Sequence, residues 1–97
     1  MTDEIRVIIA DDEEAFRRLM VDVLRTEPDI TVVAEASDGE EAVTLAGEHA
    51  PHVVLLDVRM PNLSGIDAAR VLTEIHPSVR ILMLTISDEP EDVLRVP

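Results

Sequence analysis

The stretch from His52 to Gly65, HVVLLDVRMPNLSG, constrains this chain more than any other. Val53, Val54, Leu55 and Leu56 run without a polar interruption, and Asp57 follows at once. A short, continuous apolar run of this kind suits a strand buried on both faces. Met60-Pro61 and Ser64-Gly65 cannot extend it. The pattern predicts a buried strand that delivers one carboxylate to its C-terminal end. In open α/β sheets, ligands bind just outside the carboxyl ends of the strands. Asp57 is therefore the first candidate functional residue.

The rest of the chain repeats a strand-then-helix rhythm. Ile5 to Ala10 is a second continuous apolar run, closed by Asp11-Asp12-Glu13-Glu14. Asp12 is placed to cap the helix that follows, with Glu13 and Glu14 suited to its first turn by charge. Phe16, Leu19, Met20, Val23 and Leu24 share one face of that helix, which is expected to run to about Arg25 before Pro28. Ile30 to Ala36 reads as a less uniformly apolar strand. Ser37-Asp38-Gly39 opens a helix with Ala42, Leu45 and Ala46 inward, closed by Gly47 and Pro51. Ser64 is a cap for a third helix with Ile66, Ala69, Leu72 and Ile75 apolar, stopped at His76-Pro77. Val79 to Ile86 reads as a fourth strand buried on both faces, and Asp88 to Pro90 turns into a fourth helix that barely starts.

Strands alternating with helices imply parallel pairing through right-handed crossovers. The second strand looks like an edge and the other three look buried. The expected architecture is thus a doubly wound α/β sheet in the order 2-1-3-4, the flavodoxin-like winding, with its switch point between strands 1 and 3. That crevice collects Asp11, Asp12 and Asp57. Three converging carboxylates repel one another and call for a cation or for shifted protonation. Oxygen ligands without Cys point to Mg²⁺. A carboxylate can also act as a nucleophile toward phosphorus. Thr85, expected at the end of strand 4, would share the same sheet edge.

Composition narrows the partners. Twenty-one acidic residues against eight basic ones give a net charge of −13, which disfavours nucleic acid and anionic membranes. All eight basic residues are Arg, and Cys is absent. The 97 residues suit a single domain without a linker. No apolar run nears the roughly 18 residues of a membrane helix. MTDEIR is no signal peptide, so a soluble cytoplasmic domain is expected. His49, His52 and His76 lack a partner acid at metal spacing, and Met20, Met60 and Met83 read as packing residues.

Four stretches, VIIADDEEAFRRLM, AEASDGEEAV, LLDVRMPNLSGIDA and ILMLT, carry a family resemblance in the right order and spacing. Together they make the chain similar to a two-component response-regulator receiver domain, a CheY-like fold, over nearly its whole length. The DVRMP and ASDGEEA wording most resembles receivers of LuxR/NarL-type transcription regulators. The resemblance implies that Asp57 accepts a phosphoryl group from a phosphohistidine on a sensor histidine kinase. It further implies that Asp12 binds Mg²⁺ directly and Asp11 largely through water. Arg59 would offer its backbone carbonyl to the metal, and Thr85 would be the switch hydroxyl. Phosphorylation and dephosphorylation would be self-catalysed with Mg²⁺.

Family members also carry a fifth strand ending in Lys, an aromatic switch residue within that strand, and a fifth helix. The chain is expected to stop before all of these and before any DNA-binding output domain. It contains no Lys, and Arg, a planar fork, substitutes poorly for that compact cation. Strand 4 is then expected to be an apolar edge, so that the chain either pairs it with a second copy or is marginally stable. Two function classes follow: a phospho-accepting switch, or a receiver-like interaction or metal-binding module unable to hold or transmit phosphate. A phosphatase of the Asp-nucleophile type fits less well, because its Asp-x-Asp motif belongs on strand 1.

Overall fold

The computed structural model describes residues 4–84. In chain order the elements are β1 (Ile5–Ala10), α1 (Glu14–Leu24), β2 (Ile30–Ala36), α2 (Gly39–His49), β3 (Val53–Asp57), α3 (Gly65–Ile75) and β4 (Arg80–Leu84). The strands form one parallel sheet in the order β2-β1-β3-β4. This is the winding read from the sequence. The reason is hydrophobic supply: β1 and β3 carry Ile8, Ile9, Val54 and Leu56, all fully buried, and take the centre.

The two faces have different covers. Ile8, Ala10, Val54 and Leu56 meet Ala42 and Ala46 of α2 and Ala68 and Leu72 of α3. Small alanines let these two helices lie close on the sheet. On the opposite face Val7, Ile9 and Leu55 pack with Val21 of α1, flanked by Met20 and Leu24.

β2 is not regular. Its register to β1 runs Ile5↔Ile30 to Val7↔Val32 and then jumps to Ile8↔Ala34, so Val33 is an extra residue, a β-bulge. As a result Val33 and Ala34 both pack toward the α2–α3 side, whereas Val32 packs toward α1.

Several local expectations need correction. Asp12 does not cap α1: the cap position is Glu13, which makes no side-chain cap bond, and Asp11 instead takes the Glu13 amide. Gly47 does not close α2, since one glycine costs only about 1 kcal/mol and cannot stop a helix. The helix ends where Ala50 turns left-handed (φ 47°) ahead of Pro51. Ile66 and Ile75 of α3 are exposed, because the buried stripe is Gly65, Ala68 and Leu72.

β4 is not covered on both faces: Leu82 is 56% exposed and Met83 38%. Among the described residues α1 is the only helix on the Leu82 side, and it lies across β1 and β2. On α1 itself, Leu19 and Val23 are likewise exposed. Thr85, Ile86 and the expected fourth helix lie outside the described residues.

These differences in burial set the cost of substitution. Leu56→Ala is expected to destabilise the protein by about 2–5 kcal/mol, because it opens a cavity between β3 and α3. Ile66→Ala, on an exposed position, is expected to change stability by less than about 0.5 kcal/mol. Denaturant titration of both variants checks the contrast, and equal effects would contradict the assignment of the core.

Candidate functional site

The parallel register brings the acids together. β1 and β3 pair as Ile8↔Val54, Ile9↔Leu55 and Ala10↔Leu56, so the next residue on each strand is Asp11 and Asp57. Neighbouring strands lie about 4.8 Å apart. One carboxylate oxygen each from Asp11, Asp12 and Asp57 falls within 4.8 Å of the others. They line an open cavity of about 250 Å³ with Glu13, Phe16, Arg59 and Leu84.

The three acids are held differently. Asp11 is only 4% exposed. Its amide donates to the Ala36 carbonyl at 3.0 Å, extending β1 toward β2, and its Oδ1 accepts from the Glu13 amide at 2.8 Å. Asp12 is exposed. Asp57 is half-buried at the end of β3 beside Leu84, and its Oδ1 accepts a long bond of 3.4 Å from the Arg59 amide. Desolvation raises the Asp57 carboxyl above its ordinary value. The Arg59 amide works against this, and the charges of Asp11 and Asp12 add to it.

The loop after Asp57 is clamped from several sides. The Val58 amide donates to the Leu84 carbonyl at 3.3 Å, and the Gly65 amide to the Val58 carbonyl at 3.0 Å. A Cβ at Gly65 would collide with the Asp57 carbonyl, and one at Gly39 with the Leu63 carbonyl, so both helix starts require glycine. Asn62, left-handed at φ 66°, donates from its amide group to Asp38 Oδ2 at 2.8 Å. The other oxygen of Asp38 caps α2 at the Glu41 amide. That bond, followed by the one from Asn62, holds the Asp38 carboxyl below its usual range.

Asp11, Asp12 and Asp57 thus sit together as read from the sequence, and Arg59 lines the same cavity. Thr85 lies outside the described residues, one position past Leu84 at the cavity wall. The sequence reading missed Phe16 as a wall of the site. Helical side chains lean toward the N-terminus, so a residue one turn past Asp12 reaches back over it. The donor set is hard oxygen throughout, which suits Mg²⁺ and offers nothing to softer metals.

The raised Asp57 carboxyl has a defined consequence for stability. Between the ordinary value of 3.8 and the raised one, the folded chain binds more protons than the unfolded chain. Stability from this group therefore falls as pH rises through that window and stays lower above it. In metal-free buffer, Asp57→Asn is expected to raise the melting temperature by a few degrees at neutral pH. The gain shrinks as pH is lowered toward the ordinary carboxylate value. A lowered melting temperature at pH 7 would contradict this account.

Comparison with known proteins identifies the family. Residues 7–96 match the family model described as the response regulator receiver domain. The transcriptional regulatory protein DegU of Brevibacillus brevis is 38% identical over 94 residues, which cover 97% of this chain and 40% of DegU. This chain therefore spans about two fifths of that relative's length. The solved receiver domain of the response regulator NarL from Mycobacterium tuberculosis superposes with a TM-score of 0.83 at 36% identity, covering 95% of this chain and 74% of that one. CheY in the CheX–CheY–BeF₃–Mg²⁺ complex from Borrelia burgdorferi gives a TM-score of 0.82 at 26% identity, covering 95% and 69%. With the matched family model spanning nearly all of its residues, the chain belongs to the response regulator receiver domain family.

Proposed function

We propose that Asp57 is the phosphoryl acceptor of a two-component relay and that Asp11, Asp12 and the Arg59 carbonyl complete a Mg²⁺ site beside it. The observation that carries this reading is the convergence of three carboxylates at the C-terminal edge of the sheet. A phosphohistidine of a sensor histidine kinase is the proposed donor. A carboxylate oxygen of Asp57 attacks phosphorus in line, the P–N bond breaks, and the imidazole leaves with the bonding pair and takes up a proton. The product is an acyl phosphate on Asp57.

Bound Mg²⁺ would supply the positive charge that screens the incoming phosphoryl oxygens from the three acids. The residues present suit such an ion, since two carboxylates flank the nucleophile and the cavity beside them is open to solvent. CheY of the Borrelia complex was solved with Mg²⁺ and BeF₃ present, which supports the same chemistry here. Phe16 and Leu84 form the apolar side of the cavity. Thr85 is the proposed switch hydroxyl. The natural setting is the cytoplasm, where an output domain like that of a transcriptional regulator would read the phosphorylated state. The net charge of −13 argues against nucleic-acid binding by these residues themselves.

A second reading is a receiver-like module that binds metal or a partner but does not hold phosphate, since three converging carboxylates suit a cation whether or not a phosphoryl group follows. One experiment separates the two. The 97-residue chain is incubated with acetyl phosphate and Mg²⁺, and its intact mass is compared with that of Asp57→Asn. The first reading expects one added phosphoryl group on the parent alone, abolished by a chelator and reduced at least about tenfold in rate by Asp12→Ala. Mg²⁺ binding with no added mass supports the second.

The β4 edge belongs to the same proposal. Among the described residues β4 has a partner strand on one side only, and its Leu82 and Met83 are exposed. We infer that two copies pair through this edge, since an edge strand that exposes apolar side chains templates strand addition. Light scattering of the chain is expected to show a dimer that Leu82→Lys disperses. A monodisperse, cooperatively melting monomer of the parent would exclude the pairing.

A further inference from the structure

Three backbone ties hold the turn that carries Asp11 and Asp12. The Asp11 amide donates to Ala36, the Glu13 amide donates to Asp11 Oδ1, and the Asp11 carbonyl accepts from Arg17 Nη1 at 2.7 Å. The third tie is unlike the others. Arg17 comes from α1, its side chain is only 15% exposed, and its Nε lies 3.1 Å from Glu35 Oε1 on β2. One guanidinium therefore joins the site turn to the sheet. Arg18 also approaches Glu35, at 3.8 Å, but it is 67% exposed and solvent screens that pair.

Glu35 reaches Arg17 because of the bulge. In a regular strand the residues alternate faces, so Val32 and Ala34 would share the α1 side and Glu35 would point at α2 and α3. The extra residue at Val33 reverses this. Ala34 packs with the α2–α3 cluster, and Glu35 stands opposite Ile9, a residue of the α1-side cluster. Bulges re-aim side chains in this way, often beside functional sites. The irregular ladder thus moves one carboxylate from an apolar layer to the helix whose arginine grips Asp11.

We propose that Arg17, oriented by Glu35, is a positioning residue that fixes the Asp11–Asp12 turn for cation binding. The proposal rests on reading the three carboxylates as a Mg²⁺ site. A rival role is purely electrostatic: Arg17 as a nearby positive charge that offsets the carboxylates. The two roles predict opposite signs. Loss of a positioning clamp weakens Mg²⁺ binding, whereas loss of a neighbouring positive charge strengthens it.

The test uses the whole chain with Arg17→Met, Arg17→Lys and Glu35→Gln. In metal-free protein, amide hydrogen exchange at Asp11 and Glu13 is expected to speed up by about tenfold in Arg17→Met, the scale of one lost charge-assisted hydrogen bond. Exchange at Ile8 and Leu56 stays as in the parent. Mg²⁺ affinity, read by calorimetry, is expected to fall several-fold in Arg17→Met. Arg17→Lys, which keeps the charge but not the fork, is expected to lose affinity as well. Unchanged exchange at the two amides, or tighter Mg²⁺ binding in Arg17→Met, would overturn the proposal. If Arg17→Met does not fold, Glu35→Gln carries the test: the same two amides speed up if the clamp matters and do not if it is idle. A parent that binds no Mg²⁺ refutes the metal reading, while the metal-free exchange result still decides whether the clamp operates.

Discussion

Parallel pairing of β1 with β3 is the constraint on which the rest depends. It sets Ala10 opposite Leu56, and so forces the next residues, Asp11 and Asp57, into one strand spacing of each other. Like charges at that distance repel, and neither acid can retreat, because the strands behind them are the most deeply buried part of the molecule. The hydrophobic free energy of Ile8, Ile9, Val54 and Leu56 thus serves in part to keep carboxylates together. A reactive group poised near the surface needs this kind of backing.

The helices serve the same end from outside the sheet. α1 begins directly after the acids and supplies Phe16 to the cavity and Arg17 to the Asp11 carbonyl. α2 and α3 begin at Gly39 and Gly65, where the missing side chains let the loop after Asp57 fold flat against its own strand. Asn62 then ties that loop to Asp38, the cap of α2. Motion of the loop that carries Arg59 is therefore resisted by hydrogen bonds at Val58, Asn62 and Gly65.

Much of this was legible in the sequence, for physical reasons that differ by element. The strands were readable because a covered parallel strand must be apolar on both sides, and Val53 to Leu56 satisfies that without interruption. Asp11, Asp12 and Asp57 were readable as a cluster once the strand order was fixed, since adjacent parallel strands bring their carboxyl ends to the same sheet edge. Ser64 as the cap of α3 was readable from chemistry local to the turn. What escaped depended on pairs of distant residues. The bulge at Val33 arises from a mismatch between β1 and β2 and leaves no mark in β2 alone. Arg17 and Glu35 are ordinary surface-type residues until that bulge sets them face to face. The exposure of Leu82 was hidden for a related reason: an apolar run shows that a strand prefers cover and says nothing of whether a helix lies over it.

Folding and ligation are coupled in this design. With its acids unneutralised, the site opposes folding through the desolvation of Asp57 and the nearby charges of Asp11 and Asp12. Any cation that enters relieves the repulsion among the three acids, so its affinity draws on the charge crowding held there. The rigidity of the turn decides how far this exchange goes. A loose turn would let Asp11 and Asp12 splay apart, relieving the repulsion without a ligand and leaving less to be gained on binding. A turn fixed by Ala36, by the Asp11 carboxylate and by Arg17 cannot relax in that way. Relief must then come from an ion or a proton at the carboxylates, and the sheet edge becomes responsive to what binds there.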